Sequence, residues 1–225
     1  MLSLDSCRAY QALCSFCAWA LYDEPAERQL AGFPVDALAE PPFAQVAPES
    51  ARALARELAR DDREALLREV ALDRTYLFYM VGVSKTSPYE SVYRTDDATL
   101  FGPTCLQVRK AYEDQGVAFE RRAAEPEDHL GLEFSFCATL LGRVSEQLAA
   151  GDDERARETL AAVATFLSEH PLVFAPIYLD HVATRAKSAY YRSIAGICRG
   201  TLESLARDLD VAPAETLDAS ALEIS

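Results

Sequence analysis

The chain has 225 residues, half of them hydrophobic, with 22 Lys and Arg against 36 Asp and Glu and a formal net charge of −14. That composition supplies a sizeable core and excludes general disorder, while so acidic a surface repels the phosphate backbone and excludes nucleic acid as the natural partner. A basic or cationic peptide suits it better.

The opening stretch, "MLSLDSCRAYQALCSFCAWALYDEP", predicts a helix from about Leu4 to Tyr22 that stops near Pro25. Its start lacks a basic segment, and Asp5 and Arg8 interrupt the apolar run a signal peptide requires. Nowhere does the sequence reach the ~18 or more consecutive apolar residues of a membrane span, so a cytoplasmic protein with no integral membrane segment is expected. Six cysteines without a secretion signal read as reduced thiols. Cys14 and Cys17 form a C-x-x-C, but no second ligand pair accompanies them. Cys7, Tyr10, Cys14, Cys17 and Leu21 instead recur on one helical face, where a thiol serves as a small buried apolar group.

"GFPVDALAEPPFAQVAP" is a proline-punctuated connection with room for one short helix, and Pro48 fits the first position of a helix over "ESARALARELARDD". From Asp61 a second acidic start leads into "REALLREVALDRTYLFYM", with Leu66, Val70, Asp73 or Arg74, and Leu77 on one side. "VGVSKTSPYESVYRTDDATLFGP" reads as a long loop with a Ser-Pro turn, and a loop of that length inside a compact domain usually carries function. "TCLQVRKAYEDQG" is a helix closed by Gly116.

Pro126 fits the first position of the next helix, with Glu125 before it and Glu127 and Asp128 in the first turn, where carboxylates favour the positive end of the helix dipole. Leu130, Phe134, Cys137, Leu141, Val144 and Leu148 then give this helix a wide apolar face, the mark of a central helix that Gly151 ends. A helix from "DDERARE" to His170 and Pro171 follows, then helices over "APIYLDHVATRAK" and "SAYYRSIAGICRGTLESLARDL". Residues 210–225 read as a loose acidic tail. With strand-like alternation almost missing, the fold expected is all-α, a bundle of about ten helices.

No P-loop, dinucleotide fingerprint, nucleophile elbow or H-E-x-x-H helix is present. Two Asp-His dipeptides, Asp128-His129 and Asp180-His181, offer carboxylate and imidazole ligands for a metal-dependent helical phosphohydrolase. Only His170 remains beyond them, at a predicted helix end where the dipole accounts for it, so the ligand count falls short of such chemistry. Leu77, Phe78, Tyr79 and Met80, followed by Pro88, Tyr89 and Tyr93, are dense in apolar groups; they either close the core over a helix end or form a groove for a peptide.

Two stretches, "YLFYMVGVSKTSPYESVY" (Tyr76 to Tyr93) and "EPEDHLGLEF" (Glu125 to Phe134), resemble the Ser-Pro-aromatic segment and the E-P-x-D-H-[LI] signature of the TorD/DmsD family of chaperones for molybdenum-containing redox enzymes. "FLSEHPLVFAPIYLDHV" and "AYYRSIAGI" are similar to that family's C-terminal pattern, so the likeness runs from about Arg74 to Leu209. The resemblance implies one all-α chaperone domain of two closely packed lobes, about 1–120 and 121–209. It implies a cytoplasmic, non-enzymatic protein without a cofactor of its own. Its partner would be the twin-arginine signal peptide of a molybdopterin-containing oxidoreductase catalytic subunit, held back from export until cofactor insertion and folding, with the export machinery as a further partner. By this resemblance Leu77, Phe78, Pro88, Tyr89 and Tyr93 form the apolar groove, and Glu125, Glu127 and Asp128 draw the leader arginines. Pro126 fixes the helix entry, Asp128 either accepts an arginine or caps its own helix, and His129 donates to a leader carbonyl. Tyr89 and Tyr93 stand where the family commonly has tryptophan, a departure that bears on groove size and polarity.

Overall fold

The computed structural model of the chain describes residues 1–23, 30, 33–79, 86–95, 100–119 and 125–217, with the side chain of Tyr79 left aside. Among them lie ten α-helices and no strand, an all-α fold. They are α1 (Leu4–Tyr22), α2 (Phe43–Val46), α3 (Pro48–Leu58), α4 (Arg63–Arg74), α5 (Ser91–Arg94), α6 (Pro103–Asp114), α7 (Leu130–Ala149), α8 (Asp153–Glu169), α9 (Pro171–Arg185) and α10 (Ala189–Leu209). A 3₁₀ turn, Val35–Ala39, and a π turn, Thr75–Tyr79, complete the helical elements.

α1 begins where the Ser3 hydroxyl accepts the Ser6 N–H at 3.1 Å, and it turns Cys7, Tyr10, Leu13, Cys14, Cys17 and Leu21 into the core. Its most extensive packing is against α7, whose buried positions include Leu130, Phe134, Phe136, Cys137, Leu141 and Val144. The two helices come close at Gly131, where a Cβ would lie 2.8 Å from the Cβ of Tyr22 and 3.2 Å from the Ala18 carbonyl oxygen. This brings the end of α1 over the start of α7. Buried apolar residues from Leu2 to Ala206 form one continuous cluster.

Pro48 and Pro103 open α3 and α6, and Gly116 and Gly151 follow α6 and α7 in left-handed conformation, as the helix-boundary rules predict. Other boundaries differ. The connection after α1 holds the 3₁₀ turn and α2 rather than one helix, anchored by the buried Leu38 and Phe43. α9 starts at Pro171, where a missing N–H costs nothing, and carries Pro176 within it. The largest correction falls at Pro126. It opens no helix: α7 begins four residues later, after His129, and residues 126–129 are not helical.

The described part of the acidic tail is tied down. The Ser168 hydroxyl donates to the Ala212 carbonyl at 2.7 Å, the Ala214 N–H donates to the Ser168 carbonyl at 2.8 Å, and Arg94 Nε donates to Glu215 at 2.6 Å. Asp73 makes a comparable link deeper in the fold. It accepts from the Ser188 N–H at 2.8 Å and the Ser188 hydroxyl at 2.6 Å, and so joins the end of α4 to the start of α10.

Candidate functional site

The predicted site residues from Pro88 to Tyr93 and from Glu125 to His129 come together as two short segments held side by side. The Leu130 N–H donates to the Pro88 carbonyl at 2.8 Å, and the Glu90 N–H donates to the Asp128 carbonyl at 3.0 Å. Tyr89 and His129 thereby form an antiparallel bridge pair. This pairing satisfies backbone groups that the expected helical start at Pro126 would have satisfied locally. His129 is the N-cap of α7: its backbone is extended and its Nδ1 accepts the Gly131 N–H at 2.9 Å. The ring is buried between Tyr22 and Tyr89, edge to face, with centroid distances of 5.1 and 5.2 Å.

The carboxylates are placed less as a rim than as internal ties. Asp128 is fully buried, and its Oδ2 accepts the Ser91 N–H at 2.7 Å; it caps α5, not its own helix. Glu127 is also buried, accepting from Arg109 Nε at 2.6 Å and from the Cys105 thiol at 3.1 Å, while its carbonyl accepts from the Tyr112 hydroxyl at 3.1 Å. Burial, with the Glu127 contact, pushes the Cys105 thiol up to about 12. Glu125 alone of the three stays half-buried, and it accepts the Tyr89 hydroxyl at 2.9 Å.

The apolar set divides in the same way. Leu77, Pro88, Tyr93 and Pro126 are buried, and Phe78 and Tyr89 are half-buried. The Tyr93 hydroxyl donates to the Ser87 carbonyl at 2.9 Å, and its ring lies 5.5 Å from Phe174. The Leu77 carbonyl accepts from the Thr86 hydroxyl, which brings the end of the π turn to residue 86. Phe78 meets Tyr191 edge on at 5.5 Å, with the Arg74 guanidinium 5.6 Å from its ring centroid.

Reading the sequence missed Glu90, Glu133 and the role of His170. Glu90 is fully buried and accepts from Arg94 at 2.6 Å; His170 Nδ1 lies 2.9 Å from its other oxygen. His170 thus joins the α8–α9 junction to this cluster, a firmer role than the dipole alone supplied. One signal for Glu133 was present, a lone carboxylate in the apolar run "LGLEFSF". The Asp-His pairs assemble no metal centre: Asp180 pairs with Arg199 at 3.5 Å, and no three His, Cys, Asp or Glu side chains among the described residues lie where they would hold an ion.

The described residues form an all-α bundle in which residues 125–129 lie as a strap along residues 88–91, tied by buried carboxylates and aromatic rings. Residues 40–179 match the family model described as the nitrate reductase delta subunit, and the chain belongs to this family. It is similar to the "Probable Tat proofreading chaperone DmsD" of Haemophilus influenzae, 26% identical over 148 residues that cover 66% of each chain. It is also similar to the "Chaperone protein TorD" of Vibrio cholerae O395, 32% identical over 122 residues, 53% of this chain and 52% of that one. The TorD of Aliivibrio fischeri is 26% identical over 150 residues, covering 66% of this chain and 68% of its own. The chain therefore spans about half to two thirds of the length of the curated relatives it matches. Among the described residues no single helix is long and apolar enough to cross a membrane.

Proposed function

We propose that this protein is a cytoplasmic chaperone, not an enzyme, that binds the twin-arginine leader of a molybdenum-containing oxidoreductase and delays export until cofactor insertion and folding. One observation carries the reading: the strapped seam lies within the stretch that places the chain in its family, and the relatives matched are named as TorD and as a Tat proofreading chaperone DmsD. The leader's apolar part packs on Phe78 and Tyr89, the half-buried members of the aromatic set. Its arginines are drawn by the acidic field of the chain and meet Glu125 at the edge of the strap. Leu77, Pro88, Tyr93 and Pro126 shape that surface from beneath, while Glu127, Asp128 and His129 hold the strap in register.

Calorimetric titration with a synthetic twin-arginine leader of a molybdoenzyme tests this. Saturable binding is expected, weakened about tenfold or more, a loss of about 1.4 kcal/mol, by Tyr89→Ala and by Phe78→Ala with helicity unchanged. Salt lowers the affinity and leaves an apolar remainder. Absence of binding to the folded protein overturns the function; wild-type affinity in both variants overturns the surface.

A further inference from the structure

Glu133 sits in the first turn of α7, completely buried, and neither of its carboxyl oxygens has a hydrogen-bond donor. Facing it are Glu90 and Arg94 from residues 86–95, Asp128 from the strap, Tyr112 from α6 and Cys137 from α7 itself. The donors of Arg94, His170 and Tyr112 are engaged elsewhere. Arg94 is shared by Glu90 and Glu215, His170 is directed at Glu90, and the Tyr112 hydroxyl donates to the Glu127 carbonyl. Asp128 has one oxygen on the Ser91 N–H and the other without a partner. Three buried carboxyl groups thus share a seam, and among the described residues Arg94 is the fixed cation that faces Glu133.

An ionised carboxylate without a donor in such a site costs far more than keeping its proton. A neutral carboxylic acid also gains an O–H to donate. We propose that Glu133 is a protonated acid at neutral pH whose O–H donates to the Glu90 carboxylate, and that this proton latches α7 to the segment carrying Tyr89. Glu90 lies beside Tyr89, and its N–H holds the Asp128 carbonyl, so the latch and the strap share one residue. The direction of titration agrees. Burial pushes both carboxyls up, Glu133 further because Glu90 has Arg94 and His170 beside it.

The folded state therefore binds this proton more tightly than the unfolded chain. Its stabilisation is complete below the ordinary carboxyl pKa and is lost as pH rises through the folded value. The latch concerns the chain itself and holds whatever ligand the neighbouring surface takes.

Two measurements on the whole protein test it. Infrared spectroscopy at neutral pH should show a protonated-carboxyl band in the wild type that disappears in Glu133→Gln. Hydrogen exchange of residues 86–94, corrected for its intrinsic pH dependence, should show opening that grows by up to about tenfold per pH unit between the ordinary carboxyl pKa and the folded value in the wild type. The slope should fall clearly in Glu133→Gln, whose amide donates at every pH, leaving the smaller contribution of Glu90. A wild type without the infrared band overturns the latch whether or not the variant folds, and so does a variant that keeps the wild-type slope.

Discussion

His129 shows how one side chain serves two structural ends. Its Nδ1 is the acceptor that caps α7, which places the ring proton on Nε2, and its two faces are filled by the edges of Tyr22 and Tyr89. Replacing it with alanine removes the cap, a loss of about 0.5–2 kcal/mol, and opens a gap between the two tyrosines. His129→Ala should therefore lower the urea midpoint by an amount equivalent to about 2 kcal/mol or more, and His129→Asn, which restores a capping acceptor, should recover about half of that loss. Equal losses in the two variants would assign the effect to packing alone. Asp128 is the complementary case: its oxygen caps α5 across 37 residues of sequence, so Asp128→Ala should expose the backbone of residues 91–94 to exchange while leaving α7 protected.

At the level of elements, closeness of approach decides what substitution the bundle accepts. A Cβ on Gly200 of α10 would collide with the Val46 carbonyl oxygen, and one on Gly196 would collide with the Ser50 hydroxyl. Alanine raises helix propensity by about 1 kcal/mol over glycine, yet a collision with backbone forces α10 away from α2. Gly200→Ala should consequently destabilise by about 1–3 kcal/mol in denaturant titration, and a stabilised variant would mean that α2 yields. The long helices were legible because their determinants are local. The cysteine face of α1, the proline that opens α3, and the glycines after α6 and α7 all stand within a few residues of what they control. Residues 125–129 stand out in the sequence and read there as a helix start, which the structure overturns. Proline in a non-helical segment and proline at a helix start look alike locally, and what separates them here is pairing with Pro88 and Glu90 far back in the chain. The same distance hid the work of the carboxylates, since Glu127 meets Arg109 across 18 residues and His170 meets Glu90 across 80.

Across the whole molecule the six cysteines form a built-in record of how the fold opens. All six are free and buried, spread over α1, α6, α7 and α10. Cys7, Cys14, Cys17, Cys137 and Cys198 belong to the central cluster, where burial pushes the Cys14, Cys137 and Cys198 thiols up. Cys105 differs. Its thiol donates to Glu127, so it is covered by the strap and by the short range of structure that holds the strap in place. Opening of residues 125–129 away from residues 88–91 should uncover Cys105 at a cost that includes two backbone hydrogen bonds, the Asp128 cap, the Glu127 ties and the Tyr89 contacts with Glu125 and His129, a smaller free energy than separating α1 from α7. Under a thiol reagent in mild denaturant, one cysteine should react ahead of the other five, and peptide mapping should identify it as Cys105. The remaining five should react together at a rate that follows global unfolding. Glu127→Gln, which weakens the Arg109 tie, should accelerate the first phase and leave the second nearly unchanged, because that tie contributes to the strap and not to the helical core. Six thiols reacting in a single phase would mean instead that strap and core open as one unit, and that the seam is as stable as the bundle it crosses.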